Sequence, residues 1–277
     1  MPRWIDAAKP AGLRAVNALA AAADAAHQPV PGVVILAYHR VGGGSGLQID
    51  LPTSLFEEQL ALVRAEGSAV TLDDALALLA GDQPPAGDHV VVTFDDGTVD
   101  LLEHALPVLV QHQIPATVYV ATGHIEDGVE FPSGGRPLSW QALADMVATG
   151  LVTVGSHTHG HVVLGAVTAA AADEELARSQ GLIEERLGTA AAHFAHPKAV
   201  AGSADVEAVV RRRFRSAARS GTRANPYGGT DPHDLARSPV QTADGMRWFR
   251  HKLRGGMALE GRVRELVDRR RYATAQR

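Results

Sequence analysis

Seven short apolar runs recur along the chain, and polar residues follow most of them directly. The runs are rich in valine, isoleucine, leucine and alanine, a composition typical of strands that are buried on both faces. We predict strands within residues 33–40, 90–94, 114–121, 151–157, 192–197, 214–219 and 237–240. Stretches with helical spacing separate these runs, so strands and helices alternate along the chain.

This alternation predicts parallel strands joined by right-handed crossovers. In a closed parallel barrel the carboxyl ends of all strands meet on one face, where polar residues distant in sequence converge. An open doubly wound sheet is the alternative. As a nucleotide binder it would need a glycine-rich phosphate turn near its first strand, and the stretch at 42–46 fits neither the dinucleotide-binding pattern nor the P-loop pattern. The alternation therefore predicts an α/β protein, either a parallel barrel with its polar strand ends on one face or an open sheet.

Two segments between the strands carry expectations of their own. Residues 123–137 contain four glycines and two prolines, and we predict a long functional loop there. Residues 99–112 predict a helix that is kinked at Pro107, because proline lacks the N–H of the helical ladder.

The N-terminal residues contain an alanine-rich stretch at 11–26 that charged and polar residues interrupt. A secretory signal needs an uninterrupted apolar core of roughly 7–15 residues, which this stretch lacks. No run in the sequence approaches the roughly 20 apolar residues of a membrane-spanning helix. We therefore predict an amphipathic N-terminal helix and linker over 1–30, one barrel domain over 31–277, and a cytoplasmic protein without a membrane span.

Composition narrows the classes of chemistry. The chain has 277 residues and a formal net charge of −5, which argues against a nucleic-acid partner. The arginine triplets at 211–213 and 269–271 are interpreted as solvated helix faces. The chain has no cysteine, which excludes disulfides, thiolate catalysis and cysteine-ligated zinc. It has 13 histidines, and three of them fall within five residues of one another.

Two adjacent carboxylates follow the strand predicted at 90–94. Asp95 and Asp96 are both desolvated in such a position and repel each other, so a metal ion or a shared proton is the usual remedy. The alternative is a helix N-cap, because the next helix starts shortly afterwards. Adjacent strand residues point to opposite faces, so both acids can serve one site only if the strand ends there, and Gly97 permits that break.

The histidines His157, His159 and His161 follow the strand predicted at 151–157. His157 and His161 are four residues apart, a spacing that one helical turn would place on one side, whereas His159 is expected to point away. Paired imidazoles at this spacing frequently hold a divalent metal. Two histidines and one carboxylate would make a three-ligand site with positions left for water and substrate.

Two motifs resemble those of a known family. Thr93-Phe94-Asp95-Asp96-Gly97 and His157-Thr158-x-x-His161 resemble the first two signature motifs of the polysaccharide deacetylases, carbohydrate esterase family four. The stretch at 35–41 also resembles the first strand of many members. The resemblance implies a distorted (β/α)₇ barrel with parallel strands. It also implies removal of acetyl groups from N-acetylated sugars with one divalent metal ion: zinc, or cobalt or nickel as alternatives.

The resemblance assigns roles residue by residue. Asp95 corresponds to the general base, and Asp96, His157 and His161 correspond to the metal ligands. Metal-activated water with an aspartate base is also the mechanism that these residue types support by themselves. An arginine pairs with the base in the family, and Arg237 is the candidate here, with the role of a surface charge equally open to it.

The chain departs from the family pattern later. The third motif is usually Arg or Tyr, then Pro, an aromatic residue and Gly, whereas this chain has His196-Pro197-Lys198-Ala199. In the family, the residue after the proline donates its backbone N–H to the oxyanion of the intermediate. Because this role needs no particular side chain, Lys198 can fill it. The family's late histidine, a general acid, has no clear match. His39 and His196 are candidates for that role by their strand-end positions, with a purely structural role equally open to each.

The sequence predicts a metal-dependent hydrolase that removes acetyl groups from N-acetylated amino sugars or polysaccharides. His39, His196, Lys198 and Arg237 are the candidate substrate-binding residues. A non-catalytic carbohydrate-binding relative of the same fold is one alternative, motivated by the altered third motif. A metal amidase that acts on a small cytoplasmic amide is another. The predicted partner is an N-acetylated carbohydrate, and the sequence does not define an oligomeric state.

Overall fold

Seven parallel strands form a closed barrel in this computed structural model, which describes residues 10–81, 85, 87–132 and 134–273. The strands are β1 (Gly32–Tyr38), β2 (Arg40–Val41), β3 (Asp50–Leu51), β4 (His89–Phe94), β5 (Ala116–Val120), β6 (Val152–Ser156), β7 (His193–Ala195), β8 (Ser216–Ser220), β9 (Asn225–Pro226) and β10 (Leu235–Pro239). The barrel order is β1, β4, β5, β6, β7, β8 and β10, and parallel pairing of β10 with β1 closes it.

The barrel is the distorted (β/α)₇ type that the sequence predicts. All seven predicted strands occur, each within a few residues of its expected bounds. The distortion lies at β7, which meets β6 through the pair Ser156 and Phe194. It also lies at β9, which adds to the start of β1 in the antiparallel sense.

Ten α-helices are present among the described residues. They are α1 (Pro10–Ala26), α2 (Thr53–Glu66), α3 (Leu72–Ala80), α4 (Leu106–His112), α5 (Thr122–Asp127), α6 (Trp140–Ala148), α7 (Ala169–Leu187), α8 (Ala204–Arg213), α9 (Gly245–Leu253) and α10 (Ala258–Ala273). Threonine or serine side chains cap the first turns of α3, α6, α7 and α8. Each of these oxygens accepts a backbone N–H that the helix itself leaves without a partner.

Two helical segments differ from the expectation. The predicted kink at Pro107 appears as a π-helical turn over Leu101–Ala105, directly before α4. Proline at the second position of α4 costs no hydrogen bond, because the first N–H groups of a helix have no partner within it. The predicted loop at 123–137 contains the short helix α5, which ends at Gly128 in the left-handed conformation.

The N-terminal helix is present as predicted, and α1 packs against α10. The division into a segment over 1–30 and a domain over 31–277 stays a prediction. Among the described residues, no helix combines the length and the apolar character that crossing a membrane requires.

Alternation along the strands separates two apolar clusters. Val34 and Leu36 of β1 pack in the cluster that includes the surrounding helices, whereas Val33 and Ile35 pack with Val91 of β4 in a second cluster. Because successive strand side chains point to opposite faces, the second set fills the barrel. The inward series of β4 therefore continues from Val91 towards the carboxyl end of the strand, where the acids lie.

Candidate active site

A break in the backbone follows β4. The strand ends at Phe94, and Asp96 (φ 75°) and Gly97 (φ 88°) both adopt the left-handed conformation. A Cβ atom on Gly97 would lie 2.9 Å from Cγ1 of Val120. Both the positive φ angle and this close contact therefore favour glycine at this position. The break removes the strict alternation, and both carboxylates belong to the same cavity. The helix-cap alternative is wrong, because the following helical turn begins only at Leu101.

Asp95 is held by a bidentate ion pair. Nη1 and Nη2 of Arg237 donate to its two carboxylate oxygens at 2.6 and 2.8 Å, and both residues are buried. Burial alone would raise the pKa of Asp95, but the charges of Arg237 and the nearby imidazoles lower it to about 2. The guanidinium lies over the ring of Tyr119, 5.3 Å from its centroid. Asp95 is therefore an ionised carboxylate of fixed orientation at neutral pH.

Asp96, His157 and His161 form a three-ligand cluster. Oδ1 of Asp96 lies 3.3 Å from Nε2 of His161 and 3.9 Å from Nε2 of His157, and one ligand atom from each residue lies within 4.8 Å of the others. The expected helical turn between the two histidines is wrong. They lie on an irregular loop, where positive φ angles at Thr158 (64°) and His161 (54°) bring the two imidazoles together.

The donor set fits a divalent metal ion. Nδ1 of His157 lies 2.7 Å from the carbonyl oxygen of Ala195, so it donates its proton there and leaves the Nε2 lone pair facing the cluster. Burial lowers the pKa of His157 to about 3, which keeps the imidazole neutral. Burial opposes the charge of Asp96, but a hydrogen bond from His161 and the nearby imidazoles hold its pKa well below the usual range. A carboxylate and two imidazoles match zinc, cobalt or nickel.

The cluster opens into a cavity of about 170 Å³. The four residues assigned to base and metal ligation all line it, together with His39. Nε2 of His39 lies 3.9 Å from Oδ2 of Asp95, and 28% of its side chain is exposed. The cavity therefore holds an ionised carboxylate, a cluster that could hold a metal ion and a solvent-accessible imidazole beside one another.

Comparison with known proteins agrees with this arrangement. The family model for polysaccharide deacetylases matches residues 82–212. The structure of IcaB from Ammonifex degensii superposes with a TM-score of 0.69 at 28% identity, covering 81% of this chain and 98% of that one. The chain is therefore similar to the polysaccharide deacetylase family over residues 82–212, a little under half of its length.

Two curated members of the polysaccharide deacetylase family are also similar in sequence. One is YxkH of Bacillus subtilis, a presumed polysaccharide deacetylase that is 28% identical over 54% of this chain. The other is a poly-β-1,6-N-acetyl-D-glucosamine N-deacetylase of Staphylococcus aureus, 32% identical over 38% of this chain. The matches span half of the first relative and 36% of the second.

Of the other predicted site residues, Lys198 and Arg237 line the cavity and His196 does not. His196 is fully buried, with Nδ1 3.2 Å from the carbonyl oxygen of Ala218 and Nε2 3.1 Å from Oε1 of Glu207. These contacts are typical of a structural histidine, one of the two roles that the sequence left open for His196.

The cavity wall also contains residues that the sequence analysis did not single out: Arg219, Ser220, Gln241 and Arg264. Arg219 and Ser220 end β8, so the strand-end rule that located the acids could have found them. Arg264 lies on α10, beyond the last barrel strand, where the sequence carries no signal that links it to the site.

Proposed function

We propose that this protein is a metal-dependent deacetylase that hydrolyses the acetamido group of an N-acetylated amino sugar within a glycan. The observation that carries the proposal is the cluster of Asp96, His157 and His161 beside the ionised pair of Asp95 and Arg237. The match to the family model and the similarity to a poly-β-1,6-N-acetyl-D-glucosamine N-deacetylase support this substrate class.

Asp96, His157 and His161 are the residues that would hold the metal. A bound divalent ion would lower the pKa of a water molecule and polarise the acetyl carbonyl. Asp95 accepts the proton of the attacking water, and Arg237 keeps both of its oxygens oriented. Holding the base by a bidentate pair fixes its position before substrate arrives.

Lys198 is placed to stabilise the oxyanion through its backbone. Among the described residues, its N–H has no hydrogen-bond partner, whereas the next two N–H groups bond to His196 and Pro197. Lys198 and Ala199 both line the cavity. An unpartnered backbone donor at the cavity wall suits the charge that develops on the carbonyl oxygen.

His39 is the candidate proton donor for the amine leaving group. It is the solvent-accessible histidine beside Asp95, and it directly follows β1 in the chain. A proton delivered there lets the sugar amine leave as the acetate forms.

Metal analysis and acetate release test this function together. The purified protein is assayed for bound metal and for acetate release from N-acetylglucosamine oligomers, with zinc, cobalt or nickel added. We expect one bound ion per chain and metal-dependent acetate release, and we expect His157→Ala to lose both, since it removes one of three ligands. A protein that binds the oligomers with metal present but never releases acetate would instead be a carbohydrate-binding relative. Release of formate or a ring-opened acid would indicate a small-amide amidase.

A further inference from the structure

The cavity wall, as far as the structure describes it, contains no phenylalanine, tyrosine or tryptophan. Such rings provide large contact areas at low cost in conformational entropy, and Tyr and Trp add a polar atom. A sugar bound in this cavity is therefore held by polar and charged groups.

The charged groups of the wall are mostly positive. Four cationic side chains line the cavity against two carboxylates, Asp95 and Asp96. Arg237 is paired with Asp95. Lys198, Arg219 and Arg264 are then the cationic side chains that have no assigned role. They come from three separate elements: the turn after β7, the end of β8, and α10. A divalent ion in the cluster would add to the positive potential.

Lys198 is displayed on a turn that is held at both ends. Lys198 and Ala199 adopt φ angles of 55° and 58°, which L-residues seldom take. Oε1 of Glu207, on α8, lies 3.1 Å from Nε2 of His196 before the turn and accepts the N–H of Gly202 after it at 2.7 Å. This carboxylate clamps the turn and so fixes the place of Lys198.

The ammonium group of Lys198 has no counter-ion in the part of the chain that the structure describes. The residue is exposed and still lines the cavity. A cation held at the cavity wall on a strained, clamped turn is thus available to a negatively charged group of the substrate.

The two arginines line the same cavity, and each forms an ion pair. Nη2 of Arg219 lies 3.0 Å from Oδ1 of Asp234. Arg264 pairs with Glu260, a buried carboxylate that also accepts a 2.6 Å hydrogen bond from Thr222. Nη2 of Arg264 also donates to Oε1 of Gln241, another residue of the cavity wall. Both side chains present surface to the cavity.

We propose that the substrate is an acidic glycan, in which a carboxylate or phosphate lies close to the acetamido group that is hydrolysed. The ammonium group of Lys198 binds this carboxylate or phosphate, and Arg219 and Arg264 add to the positive potential around it. The inference rests on the deacetylase function proposed above and narrows its substrate class.

Equilibrium binding tests the charge preference independently of turnover. Calorimetry on the metal-loaded protein compares three ligands: a neutral N-acetylglucosamine tetrasaccharide, a tetrasaccharide alternating N-acetylglucosamine with glucuronate, and the neutral tetrasaccharide carrying a 6-phosphate. We expect an acidic ligand to bind about tenfold more tightly at low salt, and the preference to shrink as salt screens the charges. Preference for either acidic ligand supports the proposal and identifies the acid. Equal or tighter binding of the neutral tetrasaccharide overturns it.

Variants at Lys198 locate the preference. Lys198→Gln is expected to lose most of it, and Lys198→Arg to keep it, because arginine retains the charge. Arg254→Gln is the matched control, since Arg254 is an exposed cation in the separate groove between α1 and α9 and should leave the preference unchanged. A full preference retained in Lys198→Gln overturns the assignment of Lys198.

Acetate release measured on the same ligands separates the two proposals. Tighter binding of an acidic ligand without acetate release from any ligand rejects the deacetylase function and keeps the charge preference. Acetate release with no preference in binding keeps the function and rejects the acidic substrate.

Discussion

Asp95 and Asp96 are adjacent and chemically identical, and their neighbours distinguish them. Both oxygens of Asp95 accept hydrogen bonds from Arg237, so this carboxylate has little capacity left for a metal ion. Asp96 faces the two imidazoles of His157 and His161 instead. The two carboxylates thus differ in their partners, a guanidinium for Asp95 and two imidazoles for Asp96, which supports the roles of base and metal ligand proposed for them.

Asparagine substitutions at these two positions should give different losses. Asp95→Asn removes the proton acceptor but no metal ligand, so we expect kcat to fall about 10²–10⁴-fold with metal content unchanged. Asp96→Asn removes a charged ligand, so we expect metal content and activity to fall together. Metal content and acetate release are measured on each variant. Loss of metal in Asp95→Asn would contradict the division of roles.

His39 and His196 both follow barrel strands, but their surroundings differ. His39 lies beside Asp95 in the cavity, whereas His196 is buried between Glu207 and a backbone carbonyl group. Proximity to the cavity is required of a proton donor, and burial with two polar partners is typical of a structural residue.

A matched pair of glutamine variants distinguishes these roles. His39→Gln should lower kcat about 10²-fold with little change in the free energy of unfolding, because it removes a proton donor that is partly exposed. His196→Gln should lower the free energy of unfolding by about 1–3 kcal/mol, because it disturbs buried hydrogen bonds. Steady-state kinetics and urea denaturation measure the two quantities. Equal losses of kcat in the two variants would refute the assignment of His39.

At the scale of elements, the turn after β4 determines whether both acids can serve one site. The turn needs left-handed conformations at Asp96 and Gly97, and Gly97 packs directly against Val120 of β5. The packing of the barrel around this turn offsets the free-energy cost of its strained backbone.

Gly97→Ala should destabilise the protein more than Gly128→Ala does. Both glycines have positive φ, but a Cβ at Gly97 would meet Val120 at 2.9 Å, whereas nothing lies within 4 Å of a Cβ at Gly128. Backbone strain alone costs roughly 1–2 kcal/mol, and the contact with Val120 adds to it at Gly97. Urea denaturation of the two variants measures the difference. Equal losses would mean that the contact with Val120 relaxes without cost.

At the scale of the whole molecule, α10 is joined to the barrel by a buried carboxylate. Glu260 accepts a hydrogen bond from Thr222, which lies after β8, and pairs with Arg264 on its own helix. Burial alone would raise its pKa, but the charges of Lys252 and Arg264 outweigh that effect and lower it. The ionised form of Glu260 therefore stabilises the folded state.

The stability of the protein should depend on this group in acid. Because the folded-state pKa of Glu260 is lowered, its contribution is present above the unfolded pKa of about 4.5 and is lost as pH falls through the folded pKa. Glu260→Gln should lower the free energy of unfolding by about 1–3 kcal/mol at pH 7, with the deficit shrinking below pH 4.5. Urea denaturation at several pH values measures it.

An exposed ion pair provides the control for this prediction. Asp231 pairs with Arg211 at the surface, and both side chains are more than 40% exposed. Asp231→Asn should change the free energy of unfolding by only about 0.5 kcal/mol, because solvent screens such pairs. A deficit in Glu260→Gln that stays constant down to pH 3 would contradict the role of its charge.

Local signals in the sequence placed the strands and the two motifs, and the family resemblance that those motifs carry predicted the closed barrel. Apolar runs and helical spacing were sufficient to place all seven strands, and Asp95, Asp96, His157 and His161 follow strands whose carboxyl ends must meet in a parallel barrel. The short helix α5 was missed because Gly123 within it, Gly128 directly after it and the prolines further along are typical of loops.

Tertiary structure alone decided the parts that depend on contacts between distant residues. The loop that joins His157 and His161 is irregular, and its two positive φ angles leave no periodic signal in the sequence. The choice between His39 and His196 depended on Glu207 and on the cavity wall, and Arg264 reaches that wall from a helix after the barrel. Strand ends are determined by local sequence, but the partner that each side chain meets is determined only when the barrel closes.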